Sequence, residues 1–320
     1  MIKFVVVAFS AILFLSCSPG KRNKVELVLD TQSSLGEGAV WNYRTGELIW
    51  VNITDKILNF YNPELNFNRE LLTGEMIGTV VPAESGKVIV ALENGFYQAD
   101  PATGTKTFIV NPEEDKPDNR FNDGKCDPAG RFWAGTMHRQ GKSGEGALYR
   151  LDPDGSVHKM IDNVSTSNGI VWSANYTKMY YIDTPTRKVM AWDYDNETGD
   201  IRNPIVAIEI PSEMGYPDGM TTDAEGNVWI ALWSGAAVGC WNPETGELLR
   251  TIDVPARNVT SCAFGDEDLS TLYITTARQG TNDEDLKKYP HAGGLFKVRP
   301  GVKGVQAYFF KGEFAAPEME

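Results

Sequence analysis

The chain has 320 residues and a formal net charge of −13 at pH 7. This charge disfavours a nucleic-acid or anionic-membrane partner, because phosphate binding requires clustered Lys and Arg, whereas a neutral small molecule or a cation is compatible with it. With 11% aromatic residues and 31 glycines, the composition is typical of a β-rich globular protein that is long enough to bury a large core.

The first 17 residues predict a secretory signal. In MIKFVVVAFSAILFLSC, Lys3 precedes an apolar run that is too short to span a bilayer and that ends at Ser16-Cys17. A small residue followed by Cys is typical of a bacterial lipoprotein cleavage site. We therefore expect Cys17 to carry a lipid anchor, residues 18–24 to form a short tether, and the protein to be exported as a periplasmic or membrane-anchored lipoprotein. A plainly cleaved signal and an uncleaved membrane anchor are the alternatives.

Three further cysteines, Cys126, Cys240 and Cys262, show no spacing typical of a disulfide framework or a zinc site. Cys240 and Cys262 lie in apolar, strand-like segments, where we expect them to be buried as small hydrophobic residues. A disulfide stays an alternative in an exported protein.

From about residue 24 onward, a Gly-containing turn followed by a short aromatic-aliphatic strand returns six times, at the roughly 40-to-50-residue spacing of propeller blades. The six stretches are WNYRTGELIWVNI, PAESGKVIVALENG, CDPAGRFWAGTM, WSANYTKMYYIDT, TDAEGNVWIALW and GDEDLSTLYITTA. They predict an all-β fold, a single six-bladed β-propeller over residues 25–314, in which VELVLD at 25–30 completes the last blade. A β-sandwich with repetitive turns is the alternative. The run TNDEDLKKY is expected to be an exposed loop.

Oxygen-bearing side chains precede several of the predicted innermost strands, and each is followed within two residues by Gly, a small residue expected to keep the channel mouth open. They are Glu37 in GEGAVW, Asn122 and Asp123 in RFNDGKCD, Asn168 in SNGIVW, and Asp218 in PDGMTTD. Loops that enter the innermost strands converge at one mouth of a propeller channel, so these side chains are expected to meet there.

Two carboxylates with amide oxygens suit a hard cation such as Ca²⁺ or Mg²⁺. Without a cation, Glu37 and Asp218 would repel each other in a partly desolvated place. The three His residues lie elsewhere, which disfavours a His-rich zinc site. The sequence therefore predicts a central metal site.

Five motifs of the chain resemble those of the regucalcin (senescence marker protein)/gluconolactonase family. They are GEGAVW, RFNDGKCDPAGRFWAGTM, SNGIVWSANYTKMYYID, PDGMTTDAEGNVWIA and TSCAFGDEDLSTLYITTAR, and the resemblance runs from about residue 33 to 310. The resemblance implies a six-bladed propeller that hydrolyses an aldonolactone with one divalent cation, Ca²⁺ by preference and Zn²⁺, Mn²⁺ or Mg²⁺ as alternatives.

The same resemblance implies roles for individual residues. Glu37, Asn168 and Asp218 match the family's metal ligands, and Arg120 and Asn122 match its substrate-contacting residues. Asp218 also matches the residue preferred as proton acceptor in the family. A carboxylate bound to a cation is a poor base, however, so a role in which Asp218 guides a water molecule is easier to defend. For Asp123, a supporting carboxylate and a turn-forming residue are both open.

A substrate-contacting acid that some family members carry shortly after AGTM has no clear match in HRQGKSGEG. The leading hypothesis is thus an exported hydrolase of a sugar lactone. A phosphotriesterase-type propeller is the enzymatic alternative, and a non-enzymatic calcium-binding propeller is the alternative of a different class.

Overall fold

The computed structural model describes residues 24–315, which form six four-stranded antiparallel sheets. The innermost strand of each sheet contacts that of the next, and the last sheet contacts the first, so the sheets close into a ring. The predicted all-β, six-bladed propeller is confirmed. The predicted signal, Cys17 and all but the last residue of the tether lie outside the described residues.

Each of blades 1 to 5 uses four strands in chain order from the channel outward. The strands of blades 1 to 3 are β2 (Gly36–Asn42), β3 (Glu47–Asn52), β4 (Ile57–Asn62) and β5 (Phe67–Leu72); β6 (Ile77–Pro82), β7 (Val88–Leu92), β8 (Gly95–Ala99) and β9 (Lys106–Val110); β10 (Asn119–Cys126), β11 (Phe132–His138), β12 (Gly146–Leu151) and β13 (Val157–Val164). Those of blades 4 and 5 are β14 (Ser167–Trp172), β15 (Lys178–Asp183), β16 (Lys188–Tyr194) and β17 (Ile201–Glu209); β18 (Tyr216–Thr222), β19 (Val228–Trp233), β20 (Ala237–Trp241) and β21 (Leu248–Asp253).

Blade 6 joins the two ends of the described chain. It contains β22 (Asn258–Gly265), β23 (Thr271–Ala277) and β24 (Leu295–Val298), and its outermost strand is β1 (Glu26–Leu29), which pairs antiparallel with β24. The predicted completion of the last blade by the segment at 25–30 is therefore confirmed. Since β1 directly precedes blade 1 in sequence, its pairing with β24 connects the first blade to the last and closes the ring.

All six innermost strands carry an irregularity of register near the same channel mouth. In β14, for example, the pairing with β15 shifts between Ser167 and Ile170, and in β18 the pairing with β19 shifts between Pro217 and Met220. Bulges of this kind re-aim side chains. The expectation that the candidate residues precede the innermost strands is wrong in this detail: they lie within the strands, at or beside the bulges.

The glycines after Asn168 and Asp218 serve close packing between blades and not, as expected, an open mouth. A Cβ at Gly169 would lie 2.8 Å from the Asp218 carbonyl oxygen, and a Cβ at Gly219 would lie 2.7 Å from the Ser261 hydroxyl. Neighbouring innermost strands can approach this closely only where no side chain intervenes. The glycines thereby bring the side chains that precede them towards a common axis.

Aromatic residues fill the spaces between and within the blades, as the sequence predicts. Trp133 and Trp229 are fully buried, and their indole N–H groups donate hydrogen bonds of 2.9 Å to Asp127 and Asp223, each six residues earlier in the chain. Cys126, Cys240 and Cys262 are buried free thiols. The expected burial of Cys240 and Cys262 is confirmed.

A departure from the expected secondary structure is α1 (Asp283–Lys288), where the sequence predicts a loop. The Asn282 side chain caps this short helix by accepting a 2.8 Å hydrogen bond from the Asp285 amide, and Asp285 pairs with Arg257. Acidic residues in the first turn and lysines in the last turn suit the helix dipole. No helix within residues 24–315 has the length and apolar character needed to cross a membrane.

The C-terminal segment crosses the far mouth of the channel. Gly304 bridges to Asp223 beside blade 5, and Phe310 bridges to Ala83 beside blade 2. Blades 2 and 5 are opposite each other in a ring of six, so residues 305–309 span the mouth, and residues 305–308 line a cavity between the far ends of the innermost strands. Access to the channel axis is therefore freer from the mouth where the innermost strands begin.

The close approach of blades 4 and 5 predicts a strong effect of Gly169→Ala. Its new methyl group would meet backbone of β18, so we expect destabilisation by about 2–4 kcal/mol. Gly46→Ala is the matched control, because Gly46 has a φ of 65° and no atom lies within 4 Å of the place that its new methyl group would take; it should cost only about 1 kcal/mol of backbone strain. Thermal unfolding followed by circular dichroism measures both, and an equal fall in Tm would contradict this account of the glycines.

Candidate active site

The candidate residues converge on one cavity at the channel mouth where the innermost strands begin. The cavity has a volume of about 320 Å³ and is lined by Leu35, Glu37, Arg120, Asn122, Met137, Thr166, Asn168, Thr184, Pro185, Tyr216, Asp218, Trp233 and Gln279. All five residues singled out from the sequence as metal or substrate contacts are among them. They come from four different blades, so only ring closure brings them together.

Glu37 and Asp218 form the acidic centre of this cavity. Each side chain is 4% exposed, and the two are close enough to share a hydrogen bond when one is protonated. Burial raises the pKa of Glu37 to about 8, with a further contribution from the charge of Asp123. Burial is also the main reason why the pKa of Asp218 is well above its usual range, and the charges of Glu37 and Asp123 raise it further. Two ionised carboxylates are therefore unstable here unless positive charge joins them.

Asp123 is a third buried carboxylate beside this pair. Its Oδ1 accepts a 2.7 Å hydrogen bond from the Gly124 amide, whereas its Oδ2 is buried without a hydrogen-bond partner among the described residues. Burial raises the pKa of Asp123 as well. An ionised oxygen without a donor is costly in such a place, so Asp123 adds to the local demand for a cation. A turn-forming role alone does not account for its position.

Arg120 supplies positive charge at the cavity wall. Its Nη1 donates to the Phe121 carbonyl oxygen at 2.9 Å and to the Asn122 Oδ1 at 2.7 Å. Burial lowers its pKa to about 10, and the charge of Glu37 acts in the opposite direction. Arg120 is therefore protonated at neutral pH, and its remaining N–H groups are available to a bound molecule.

The two amide side chains are fixed by a hydrogen-bonded chain across blades 3, 4 and 5. Asn122 Nδ2 donates to the Ser167 carbonyl oxygen at 2.7 Å and to Asn168 Oδ1 at 3.3 Å, and Asn168 Nδ2 donates to Thr184 Oγ1 at 2.7 Å. Thr184 in turn donates to the Pro217 carbonyl oxygen at 2.8 Å. These hydrogen bonds direct the Asn168 oxygen away from Thr184 and connect the Asn168 side chain, through Thr184, to the strand that carries Asp218.

Lys125 places a second positive charge deeper in the channel. Its Nζ donates a 2.6 Å hydrogen bond to the Met220 carbonyl oxygen, which reaches from blade 3 to blade 5. Its charge lowers the pKa of both Glu37 and Asp123. Three carboxylates thus face two fixed cations, and the cluster keeps an excess negative charge when all groups are ionised.

Sequence reasoning missed the cavity residues that do not belong to innermost strands. Met137 and Trp233 lie at the ends of β11 and β19, and Thr184 and Gln279 follow β15 and β23. In an antiparallel sheet, the end of the second strand lies beside the start of the first. That rule, applied to the predicted strands, would have identified this second set.

Comparison with known proteins places these features in a family. Residues 35–278 match the model of the SMP-30/Gluconolactonase/LRE-like region. The chain is 39% identical over 287 residues to "Putative sugar lactone lactonase YvrE" of Bacillus subtilis (strain 168), covering 90% of this chain and 98% of that protein. It is 40% identical over 292 residues to regucalcin of Danio rerio, with 90% and 99% covered.

A solved structure agrees with these matches. The crystal structure of a calcium-binding protein, regucalcin, from Agrobacterium tumefaciens str. C58 superposes with a TM-score of 0.85 at 30% identity, covering 89% of this chain and 96% of that one. The chain therefore belongs to the SMP-30/gluconolactonase/LRE-like family.

Proposed function

We propose that the protein hydrolyses a sugar lactone to the corresponding sugar acid, with one divalent cation held by Glu37, Asn168 and Asp218. The observation that carries this proposal is the convergence of these three residues with Arg120 and Asn122 in one cavity. The name of the Bacillus subtilis relative supports the substrate class, and the calcium-binding regucalcin structure supports Ca²⁺ as the cation.

The residues present fit a hard cation. Within residues 24–315, no three His, Cys, Asp or Glu side chains are arranged to hold a metal ion, so an amide oxygen has to complete the donor set. Glu37, Asp218 and the Asn168 oxygen supply such donors, which are those that Ca²⁺ and Mg²⁺ prefer. The partnerless Asp123 Oδ2 and the raised pKa values of Glu37 and Asp218 indicate the same need for positive charge.

In the proposed reaction, the oxygen of a water molecule adds to the lactone carbonyl carbon and the ring C–O bond then breaks. The leaving ring oxygen takes up a proton and becomes a hydroxyl group, and the new carboxylic acid releases one at neutral pH. When bound, the cation supplies Lewis-acid polarisation of the lactone carbonyl. Arg120 orients the lactone through its unused N–H groups and stabilises negative charge that develops on oxygen.

Asp218 is the proposed catalytic residue. It is buried in the cavity proposed to bind the lactone, and it accepts the proton of the attacking water or orients that water by hydrogen bonding. The Asn122–Asn168–Thr184 chain holds its strand in place through the Pro217 carbonyl. In this proposal Asn122 lines the substrate cavity and also positions Arg120 by accepting a hydrogen bond from its guanidinium group.

We expect Asp218→Asn to lower kcat/KM for aldonolactones at least about 100-fold, because the variant keeps its shape but loses the carboxylate. A pH-indicator assay of acid release measures this, with protein stripped of metal and reloaded with Ca²⁺, Mg²⁺, Mn²⁺ or Zn²⁺ in turn. Asp200→Asn, an exposed carboxylate outside the cavity, is the matched control.

Several outcomes of that assay would overturn the proposal. Hydrolysis of an organophosphate that equals or exceeds lactone hydrolysis would favour a phosphotriesterase. Saturable Ca²⁺ binding with no turnover of any ester would favour a calcium-binding propeller. A variant at Asp218 that retains most of its activity would remove this residue from the mechanism.

The raised pKa of Glu37 predicts a pH dependence of stability. In the unfolded chain this carboxyl titrates near pH 4.5, whereas in the fold its pKa is about 8. The fold therefore keeps a proton that the unfolded chain releases, and this contribution to stability is present below pH 4.5 and is lost as the pH rises through 8. We expect the Tm of chelator-treated protein to fall over this window and added CaCl₂ to restore it at pH 8.

Glu37→Gln provides the control for this measurement, because it cannot ionise. Its Tm should fall less between pH 4.5 and 8 than that of the wild type, and CaCl₂ should raise it little. Parallel pH profiles for the two proteins would mean that Glu37 does not titrate as described.

A further inference from the structure

Both ends of the described chain lie on the face of the propeller opposite the candidate active site. We call the face that carries this site the near face and the opposite one the far face. The innermost strand of each blade runs from the near face to the far face, and the strands that follow it alternate in direction, as in blade 1. The fourth strand of a blade therefore begins on the far face and ends on the near face.

Strand β1 follows this rule although it comes first in the sequence. As the outermost strand of blade 6 it is antiparallel to β24, and Glu26 at its start lies opposite Lys297 near the far end of β24. Val25, which directly precedes β1, packs against the core shared by blades 5 and 6, as does Val302, which follows β24. The segment that ends at residue 24 therefore joins the propeller on the far face.

The C-terminal segment covers the same face. Residues 305–309 span the far mouth, where the ring of Tyr308 contacts that of Tyr176 in blade 4. The carbonyl oxygen of Phe314, close to the end of the described chain, accepts a 2.6 Å hydrogen bond from Gln98 of blade 2. The near-face cavity therefore stays accessible when another surface lies against the far face.

The far face is acidic. It consists of the hairpin turns that join the first strand of a blade to the second and the third to the fourth, and these turns expose the carboxylates of Glu84, Asp154, Glu197, Glu225, Glu244 and Asp268. Anionic lipid headgroups repel such a surface. The predicted tether has the opposite charge, because it contains Lys21, Arg22 and Lys24. Electrostatics thus favours contact of an anionic bilayer with the tether and not with the far face itself.

The predicted tether is too short to turn the propeller over. Residues 18–24 span at most about 25 Å when fully extended. The blades are about as tall as that, since the eight residues of β10 rise about 26 Å. A tether that joins the far face would be used up in passing along the blade to the near face. Attachment at residue 17 therefore keeps the far face towards the bilayer.

We propose that the protein is held on a bilayer by a lipid on Cys17 with its far face towards the membrane, so that the candidate active site opens into the aqueous compartment. The premise is the lipoprotein signal predicted from the sequence, and the inference adds the orientation, which follows from the direction of β1. It does not depend on the proposed lactonase function. A water-soluble substrate reaches the cavity without passing between the protein and the membrane.

A matched pair of labelling sites tests the orientation. Thr45 and Thr54 are exposed residues of blade 1 in the turns at the two ends of β3, Thr45 on the far face and Thr54 on the near face, roughly 25 Å apart. The full chain with Thr45→Cys or Thr54→Cys is labelled with a donor dye and bound to vesicles of phosphatidylethanolamine and phosphatidylglycerol that contain a rhodamine-labelled lipid. We expect energy transfer to this lipid to be several-fold more efficient from position 45.

The wild type is the blank for this labelling, because Cys126, Cys240 and Cys262 are buried. Both variants change an exposed turn residue, and an unchanged Tm confirms that they fold alike. Equal energy transfer from the two positions, or more transfer from position 54, would overturn the inference.

The means of attachment is tested separately. Mass spectrometry of the wild type isolated from membranes should find Cys17 as the N-terminal residue with acyl chains attached. The chain from residue 18 onward, which retains all six blades, should stay in solution when it is mixed with the same vesicles, because three tether cations alone bind an anionic bilayer only weakly. A wild type without lipid, or a shortened chain that binds as tightly as the wild type, would overturn the inference and leave the lactonase proposal intact.

Discussion

The arrangement at the channel mouth is dominated by the burial of three carboxyl groups, to which their mutual repulsion adds. Glu37, Asp123 and Asp218 share one desolvated region, where the charge of Asp123 raises the pKa of both Glu37 and Asp218, and the charge of Glu37 raises that of Asp218. Arg120 and Lys125 offset only part of this negative charge. The divalent ion proposed above, held by oxygen ligands, would offset the remaining negative charge.

The propeller fold accommodates this cluster because the residues that stabilise the fold are different from those that line the cavity. Stability resides in the aromatic and aliphatic packing within and between blades and in the β1–β24 pairing that closes the ring. The bulged starts of the innermost strands contribute polar side chains to the axis at little cost to that packing. Glycines at 169 and 219 let the strands come close enough for Asn168 and Asp218 to approach the same point.

The fold could be predicted from the sequence because turn chemistry and strand composition repeat along the whole chain. Four of the candidates could be predicted because each is followed within two residues by a Gly at an equivalent point of a different repeat; they are Glu37, Asn122, Asn168 and Asp218. Arg120 has no such Gly and was predicted only from the resemblance to the family. The exact place of the candidates within the bulges could not be predicted, since a bulge depends on pairing with the neighbouring strand. The helix at 283–288 was missed because its caps act over only six residues and leave no long periodic pattern.

The remaining wall of the cavity was beyond the sequence for a related reason. Tyr216, Trp233 and Gln279 have no distinctive motif, and they meet only because antiparallel pairing returns strand ends to the same mouth.

Isothermal titration of CaCl₂ into chelator-treated protein at pH 7, in two buffers of different ionisation enthalpy, tests most directly whether the carboxylate cluster is a cation site. The account predicts one saturable site per chain, with protons released on binding because burial raises the pKa of Glu37 to about 8 and that of Asp218 above its usual range, and the ion would lower both. It also predicts that Glu37→Gln weakens binding by at least about 100-fold, since the variant cannot release a proton to provide a charged ligand in a desolvated site. An absence of saturable binding in the wild type, or equal affinity in the variant, would contradict it.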